Sequence, residues 1–301
     1  MRERAEWRAA LGAMAAIAGV GLSSGRGLVL FFAQMKGAAW AGVLSACVLF
    51  GAMTAFIVSR GETCRARTGL ERMAEALRLL FAAVMSAFML TRLGEAGALT
   101  LPVRHGYLFG ALFGLLLSLI ARWLKADGAL GLSLTFLLSG FYIANALDGR
   151  PPRLHLSGAT EFALADSVPA AMALALVYAA MNAAAAGWRL RGARQGTVRP
   201  AALGVKTAAL MALVLVPGVA ALHRAGDMVL IQPMPWVVLS ARWGLWGFWL
   251  CAALSALCAA STLSCGLGLL LDRLRGGRRA LAACMLSGAL FGFLILSFGR
   301  F

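Results

Sequence analysis

Residues 19 to 27 of this 301-residue chain read GVGLSSGRG. Gly19, Gly21, Gly25 and Gly27, the serines Ser23 and Ser24, and the charge of Arg26 interrupt what is otherwise the first long apolar run. Glycine and serine are poor helix formers, and a backbone N–H or C=O cannot be left unpaired in hydrocarbon. An interruption at this depth implies that protein, water or a ligand satisfies the freed groups. Amides released at a half-helix N-terminus attract an anion such as a carboxylate, whereas carbonyls released at the other half suit a cation. The planar guanidinium of Arg26 suits anion recognition, or it reaches out to water or pairs with Asp166 or Glu161. Tyr178 and Asn182 are one helical turn apart and share a face; they line a cavity opposite the first span or make an interhelical bond. Ser261, Thr262 and Ser264 supply hydroxyl oxygens of the kind a hard cation needs. The same hydroxyls also serve ordinary helix packing, bonded to the preceding turn.

The elements that must position these residues follow from hydropathy. The chain is 61% hydrophobic and 13% charged, with a mean hydropathy of +0.83, which excludes a soluble globular domain. Apolar runs lie at 9–35, 38–59, 75–100, 105–124, 128–147, 165–187, 202–222, 243–271 and 279–298, each near the length a bilayer requires. The reading is an all-α, polytopic membrane helix bundle of about 9–10 transmembrane helices, forming one domain over residues 1–301. Alternate loops divide the Lys and Arg residues 19 to 8, with Arg26 in neither set. That bias puts the N-terminus in the cytoplasm and the C-terminus outside the cell membrane. The net charge of +16 therefore belongs to topology rather than to nucleic-acid binding. The six cysteines include no CxxC pair and read as packing residues. No Ser/His/Asp or Cys/His set falls within the spans, and His105, His155 and His223 are not spaced as ligands, so the residues point to no enzyme and no metal centre. Outer segments 148–164 and 227–242, the second holding Pro233, Pro235 and Trp236, serve as a lid or as interfacial loops with Trp236 as anchor.

GVGLSSGRGLVLFF resembles the first-helix motif of the YkvI-like membrane proteins, G-A-G-F-A-S-G-Q-E-I-x-x-F-F, in the amino acid/polyamine/organocation transporter superfamily. Gly19, Gly21, Ser24, Gly25, Phe31 and Phe32 fall on matching positions, while the motif's Gln and Glu are Arg26 and Gly27. LVYAAMN (176–182) resembles that family's Tyr-x-x-x-Asn pattern, and AASTLSCGLGLLLDRL (259–274) its hydroxyl-rich eighth helix. The resemblance implies a leucine-transporter-like inverted repeat, with a first half at about 9–147, a second at about 165–298, and discontinuous first and sixth helices. It implies a solute site at Gly21, Ser23, Ser24, Gly25, Arg26, Tyr178 and Asn182, and a sodium ion, as coupling ion, at Gly19, Val20, Ser261, Thr262 and Ser264. The expected activity is secondary transport of a small carboxylate-bearing solute such as an amino acid, by alternating access. The competing expectation is a non-transporting membrane receptor or scaffold that keeps the fold. Oligomeric state is not legible in the residues.

Overall fold

A computed structural model of the chain describes residues 2–22, 25–59, 69–101, 103, 105–124, 127–148, 166–187, 189–190, 198–232, 234–275 and 279–296. All regular structure among them is helical. The first span is made in pieces. Helix α1 (Arg2–Ile17) passes into a π-helical turn (Ala18–Leu22), Gly25 takes a left-handed φ of 78°, and α2 (Arg26–Phe31) follows, leading through a 3₁₀ turn (Ala33–Ala38) into α3 (Ala39–Ser59). Then come α4 (Gly69–Thr100), α5 (Gly106–Leu124), α6 (Asp127–Leu147), α7 (Val168–Ala186) and α8 (Pro200–Ala225). The short α9 (Asp227–Leu230) and α10 (Pro235–Ser240) precede α11 (Leu245–Arg275) and α12 (Arg279–Leu296). Each of the nine apolar runs coincides with one of these helices or, for the first, with the α1–α2 pair. Among the described residues, six helical stretches are long and apolar enough to cross a membrane by length and composition.

The sixth span departs from expectation, because α7 is an uninterrupted helix from Val168 to Ala186. Pro169 and Ser167, which read as an irregular start, are the helix's cap. The Ser167 side chain accepts from the Ala170 N–H at 3.3 Å, and Pro169 sits in the first turn, where its missing N–H goes unneeded. Alanines then dominate the helix and favour its continuation. Discontinuity is confined, among the described spans, to the first.

Two helix groups meet along that broken span. Helix α3 packs on α7 and α8, and α1 on α6, α7 and α8, around one large apolar core. Helices α4, α5, α11 and α12 pack on one another, with smaller cores of their own. The α3–α8 crossing is backbone on backbone: a Cβ on Gly51 would stand 2.5 Å from the Gly204 carbonyl oxygen. Beside it the hydroxyls of Thr54 and Thr207 bond at 2.8 Å. Small residues and interhelical hydroxyl bonds of this kind substitute in lipid for the hydrophobic drive of water.

At the end of the bundle where α1 begins, here the near end, Glu6 is fully buried between two cations of the α8 start. Lys206 Nζ lies 2.7 Å and Arg199 Nε 3.1 Å from its carboxylate. The Lys206 contact, then Arg199, outweigh desolvation and hold the Glu6 carboxyl down to about 2 from the ordinary 4.5. A carboxyl whose folded pKa is depressed stabilises the fold fully above its unfolded value, and loses that contribution as pH falls towards the folded value. The difference in melting temperature between the wild type and Glu6→Gln is therefore expected to be constant above about pH 5, to shrink below pH 4.5, and to vanish near pH 2. A difference independent of pH down to 3 would show that the ion pairs contribute nothing.

Candidate functional site at the broken span

The break is organised around one carbonyl. Leu22 C=O accepts from the Tyr142 hydroxyl at 2.7 Å, from the Trp236 indole N–H at 3.0 Å and from the Gly25 N–H at 3.3 Å. Gly25 turns the chain at φ 78°, in the left-handed region where a side chain is strained. It also makes room, since a Cβ there would lie 2.8 Å from Trp236 Nε1. The Trp236 ring stacks on Tyr142 with centroids 4.4 Å apart and meets Phe141 edge-on. Trp236 is therefore a buried plug at 1% exposure, not an anchor at the membrane interface. All six residues of α10 are buried, so the 227–242 segment sits as a lid over the far end. Trp236→Phe keeps an aromatic face but removes the N–H and the volume of the fused ring; it is expected to cost at least about 1 kcal/mol, read as a fall of at least about 2–4 °C in melting temperature. An unchanged midpoint would mean that the Leu22 carbonyl does not rely on the indole.

Arg26, the first residue of α2, donates to the carbonyls of Leu230 at 3.0 Å and Gln232 at 3.5 Å, so its guanidinium holds α2 to the lid. It does not reach Asp166, whose carboxylate accepts from the Ala38 N–H; Glu161 lies outside the described residues. The lid is clamped to the α6 end as well, since Arg242 donates to the carbonyls of Asn145 at 2.9 Å and Asp148 at 2.8 Å. Cations on carbonyls at a helix C-terminus also oppose its dipole.

Tyr178 and Asn182 face the first span from α7. The Tyr178 ring contacts Phe31 and Phe32 at centroid separations of 5.1 and 5.0 Å. Asn182 Nδ2 donates to its own helix, at the Tyr178 carbonyl. The Tyr178 hydroxyl and Asn182 Oδ1 are buried without a hydrogen-bond partner, a state shared among the uncharged side chains described only by Gln34 Oε1. Both residues are 1% exposed or less. Gly21 lies in the π-turn; Ser23 and Ser24 lie outside the described residues.

The hydroxyl-rich stretch of α11 crosses the first span at the Ala15 and Ala16 carbonyls, ahead of the Gly19 to Gly21 stretch. Ser261 Oγ donates to the Ala15 carbonyl at 2.7 Å and Thr262 Oγ1 to the Ala16 carbonyl at 2.8 Å. Thr262 Oγ1 in turn accepts from the Gly19 N–H at 2.8 Å. The close approach needs Gly19, because a Cβ there would fall 2.7 Å from the Cys258 carbonyl oxygen. Val20 belongs to the same turn. Ser264 does not join, since its hydroxyl donates to the Ser261 carbonyl and accepts from Arg189. The Ser261 and Thr262 hydroxyls are thus engaged by the Ala15 and Ala16 carbonyls, one turn before the Gly19 and Val20 carbonyls named for a sodium ion. A small cavity of about 30 Å³ lies on the other side of Thr262, bounded by Cys265, Gly266, Phe81 and Ala184.

Tyr142 and Arg189 escaped the sequence reading, and Trp236 entered it only as part of a lid or as an interfacial anchor. Tyr142, an amphipathic residue inside an apolar run, and the Pro-Trp pair of the outer segment were the available signals; Arg189 is indistinguishable in sequence from a topogenic charge.

No protein-family description and no curated protein matches the chain, so the YkvI-like assignment gains no support from either. Its backbone is similar to the crystal structure of a manganese transporter of Eremococcus coleocola, in a histidine-to-alanine mutant. The TM-score is 0.57 at 12% identity, over 98% of this chain and 70% of that one. What they share is the fold. A second structure of that transporter, with an aromatic bis-isothiourea substituted compound, matches at a TM-score of 0.49 and 14% identity, over 97% of this chain and 69% of that one.

Proposed function

We propose that the protein is a secondary transporter of a small carboxylate-bearing solute such as an amino acid, working by alternating access around the broken first span. The observation that carries this reading is the pair of buried, unpartnered polar atoms on α7, Tyr178 Oη and Asn182 Oδ1. Leaving such groups unsatisfied costs about 1–3 kcal/mol each, and a face that keeps two of them against an interrupted helix is suited to a ligand that supplies the missing partners. A hydroxyl and an amide oxygen accept from a substrate N–H, and Arg26 supplies a cation that can exchange its lid carbonyls for a carboxylate when the lid lifts. The two helix groups meeting at the break supply the parts that rock against each other. Manganese is the solute named for the similar crystal structure, and it is the alternative that the test below separates from a carboxylate. With the N-terminus in the cytoplasm, the α9–α10 lid faces outward and the Glu6 ion pairs face inward.

The test is thermal-shift screening of the purified protein against amino acids, simple carboxylates and Mn²⁺, followed by uptake of the best ligand into liposomes. A carboxylate that raises the midpoint and accumulates supports the reading. Binding without accumulation makes the protein a receptor, and stabilisation by Mn²⁺ alone overturns the solute class.

A further inference from the structure

The turn that joins α2 to α3 carries two separate costs. Its Lys36 stands at φ 37°, ψ −104°, the one positive φ on a residue other than glycine among the described residues. A Cβ is crowded in that region, which glycine ordinarily fills. The Lys36 side chain is exposed, so burying it does not offset the strain. Gln34, two residues earlier, keeps its Oε1 buried without a hydrogen-bond partner. The turn is pinned from both sides. The Ala33 carbonyl accepts from His223 Nε2 of α8 at 3.1 Å, and the Ala38 N–H donates to Asp166 Oδ1, just before α7, at 3.1 Å. Lys36 closes the gap that those two bonds leave. Backbone strain of this kind persists only where the surroundings over-determine it, and it concentrates at elements that switch.

We propose that Lys36 is a loaded hinge, strained while α2 lies closed under the lid and relaxed once α2 swings away, so that the stored strain favours opening. The two arms of the turn differ in how firmly they are held. Helix α3 is fixed by its backbone-on-backbone crossing with α8 at Gly51 and Gly204. Helix α2 has six residues, too few to stand alone, and it is fastened to the lid by the Arg26 bonds to Leu230 and Gln232. The arm that moves is therefore α2. Swinging it away draws Ala33 off His223 and removes one of the two pins. Lys36 then returns to negative φ, and Gln34 Oε1 meets water. What is recovered offsets part of the cost of breaking the Arg26 bonds and exposing the apolar side of α2. A hinge that absorbs a large φ/ψ change at one residue suits such a short arm. The hinge gives alternating access a place at which the first span bends, yet it stands whether or not a solute is carried.

The experiment is hydrogen–deuterium exchange of the purified full-length protein, read by mass spectrometry for the wild type, Lys36→Gly and Lys36→Ala. Val29 and Phe32 are the probes on the moving arm: both side chains are buried, and their amides are bonded to the Gly25 and Leu28 carbonyls. Helix α3 is the reference. Exchange of such amides follows the opening equilibrium. Lys36→Gly relieves the closed state and is expected to slow the α2 amides about tenfold or more while leaving α3 unchanged. Lys36→Ala keeps the Cβ and is expected to exchange like the wild type. In melting temperature Lys36→Gly should stand above Lys36→Ala, the reverse of their order at an exposed site of ordinary backbone. If Lys36→Gly slows α2 no more than α3, the strain outlasts opening and the proposal is overturned. A Lys36→Gly protein that melts below Lys36→Ala, or that fails to fold, overturns it as well, because there was then no strain to relieve. No solute enters these measurements, so failure here is separable from failure of the transport reading.

Discussion

Gly19→Val is expected to lower the melting temperature by about 6 °C or more, the largest stability effect of any single substitution at the break. The first atom added already has nowhere to go. A Cβ on Gly19 would stand 2.7 Å from the Cys258 carbonyl oxygen, 2.7 Å from Thr262 Oγ1 and 2.8 Å from Met89 Sδ. The thioether can move; the carbonyl belongs to α11 and cannot move without the helix. Overpacking of this kind costs about 1–3 kcal/mol. Spreading the crossing also breaks the Gly19 N–H bond to Thr262 and strands the Ala15 and Ala16 carbonyls, at about 1–3 kcal/mol for each buried group left unpaired. Gly140 is the control, since nothing stands within 4 Å of its added Cβ and Gly140→Val should melt with the wild type. Equal midpoints for the two variants would mean that α1 and α11 are not in contact at this depth.

Asn182→Leu and Tyr178→Phe are expected to move stability and function in opposite directions. Each removes a buried polar atom that has no partner in the ligand-free fold. Asn182→Leu replaces an amide by an apolar side chain of similar volume, and it forfeits the bond to the Tyr178 carbonyl within its own helix. The melting temperature should therefore stay the same or rise by a few degrees, because a desolvation penalty is lifted. Solute binding should fall at least tenfold, the minimum for losing one hydrogen bond to a fully desolvated ligand group. A purely structural role for the pair gives the reverse, a lower midpoint with binding intact, so one thermal scan with and without solute separates the two.

Part of this was open to reading from composition and order alone. Hydropathy fixes the nine apolar runs because hydrocarbon tolerates no unpaired backbone, so each crossing must be a contiguous apolar helix that can be counted along the chain. The glycine and serine cluster at 19–25 marks the discontinuity for the same local reason, since those residue types forfeit helix stability wherever they sit. The pairing of Ser261 and Thr262 with the first span follows from the resemblance together with the need of hydroxyls in lipid for carbonyl partners.

What tertiary structure decided is who answers the open groups. The Leu22 carbonyl is satisfied by Tyr142, 120 positions away, and by Trp236, 214 away. Nothing local distinguishes those aromatics from membrane-interface residues. Pro169 reads equally as a break or as a first turn, and the Ser167 cap chose the first turn. Ser264 has the same side chain as Ser261 but stands three residues on, which turns it from α1 to Arg189. Residue type and spacing determine which groups the membrane will not leave unpaired, because desolvation acts on each group where it stands. The choice of partner depends on which helices cross at that depth, and that is a property of packing.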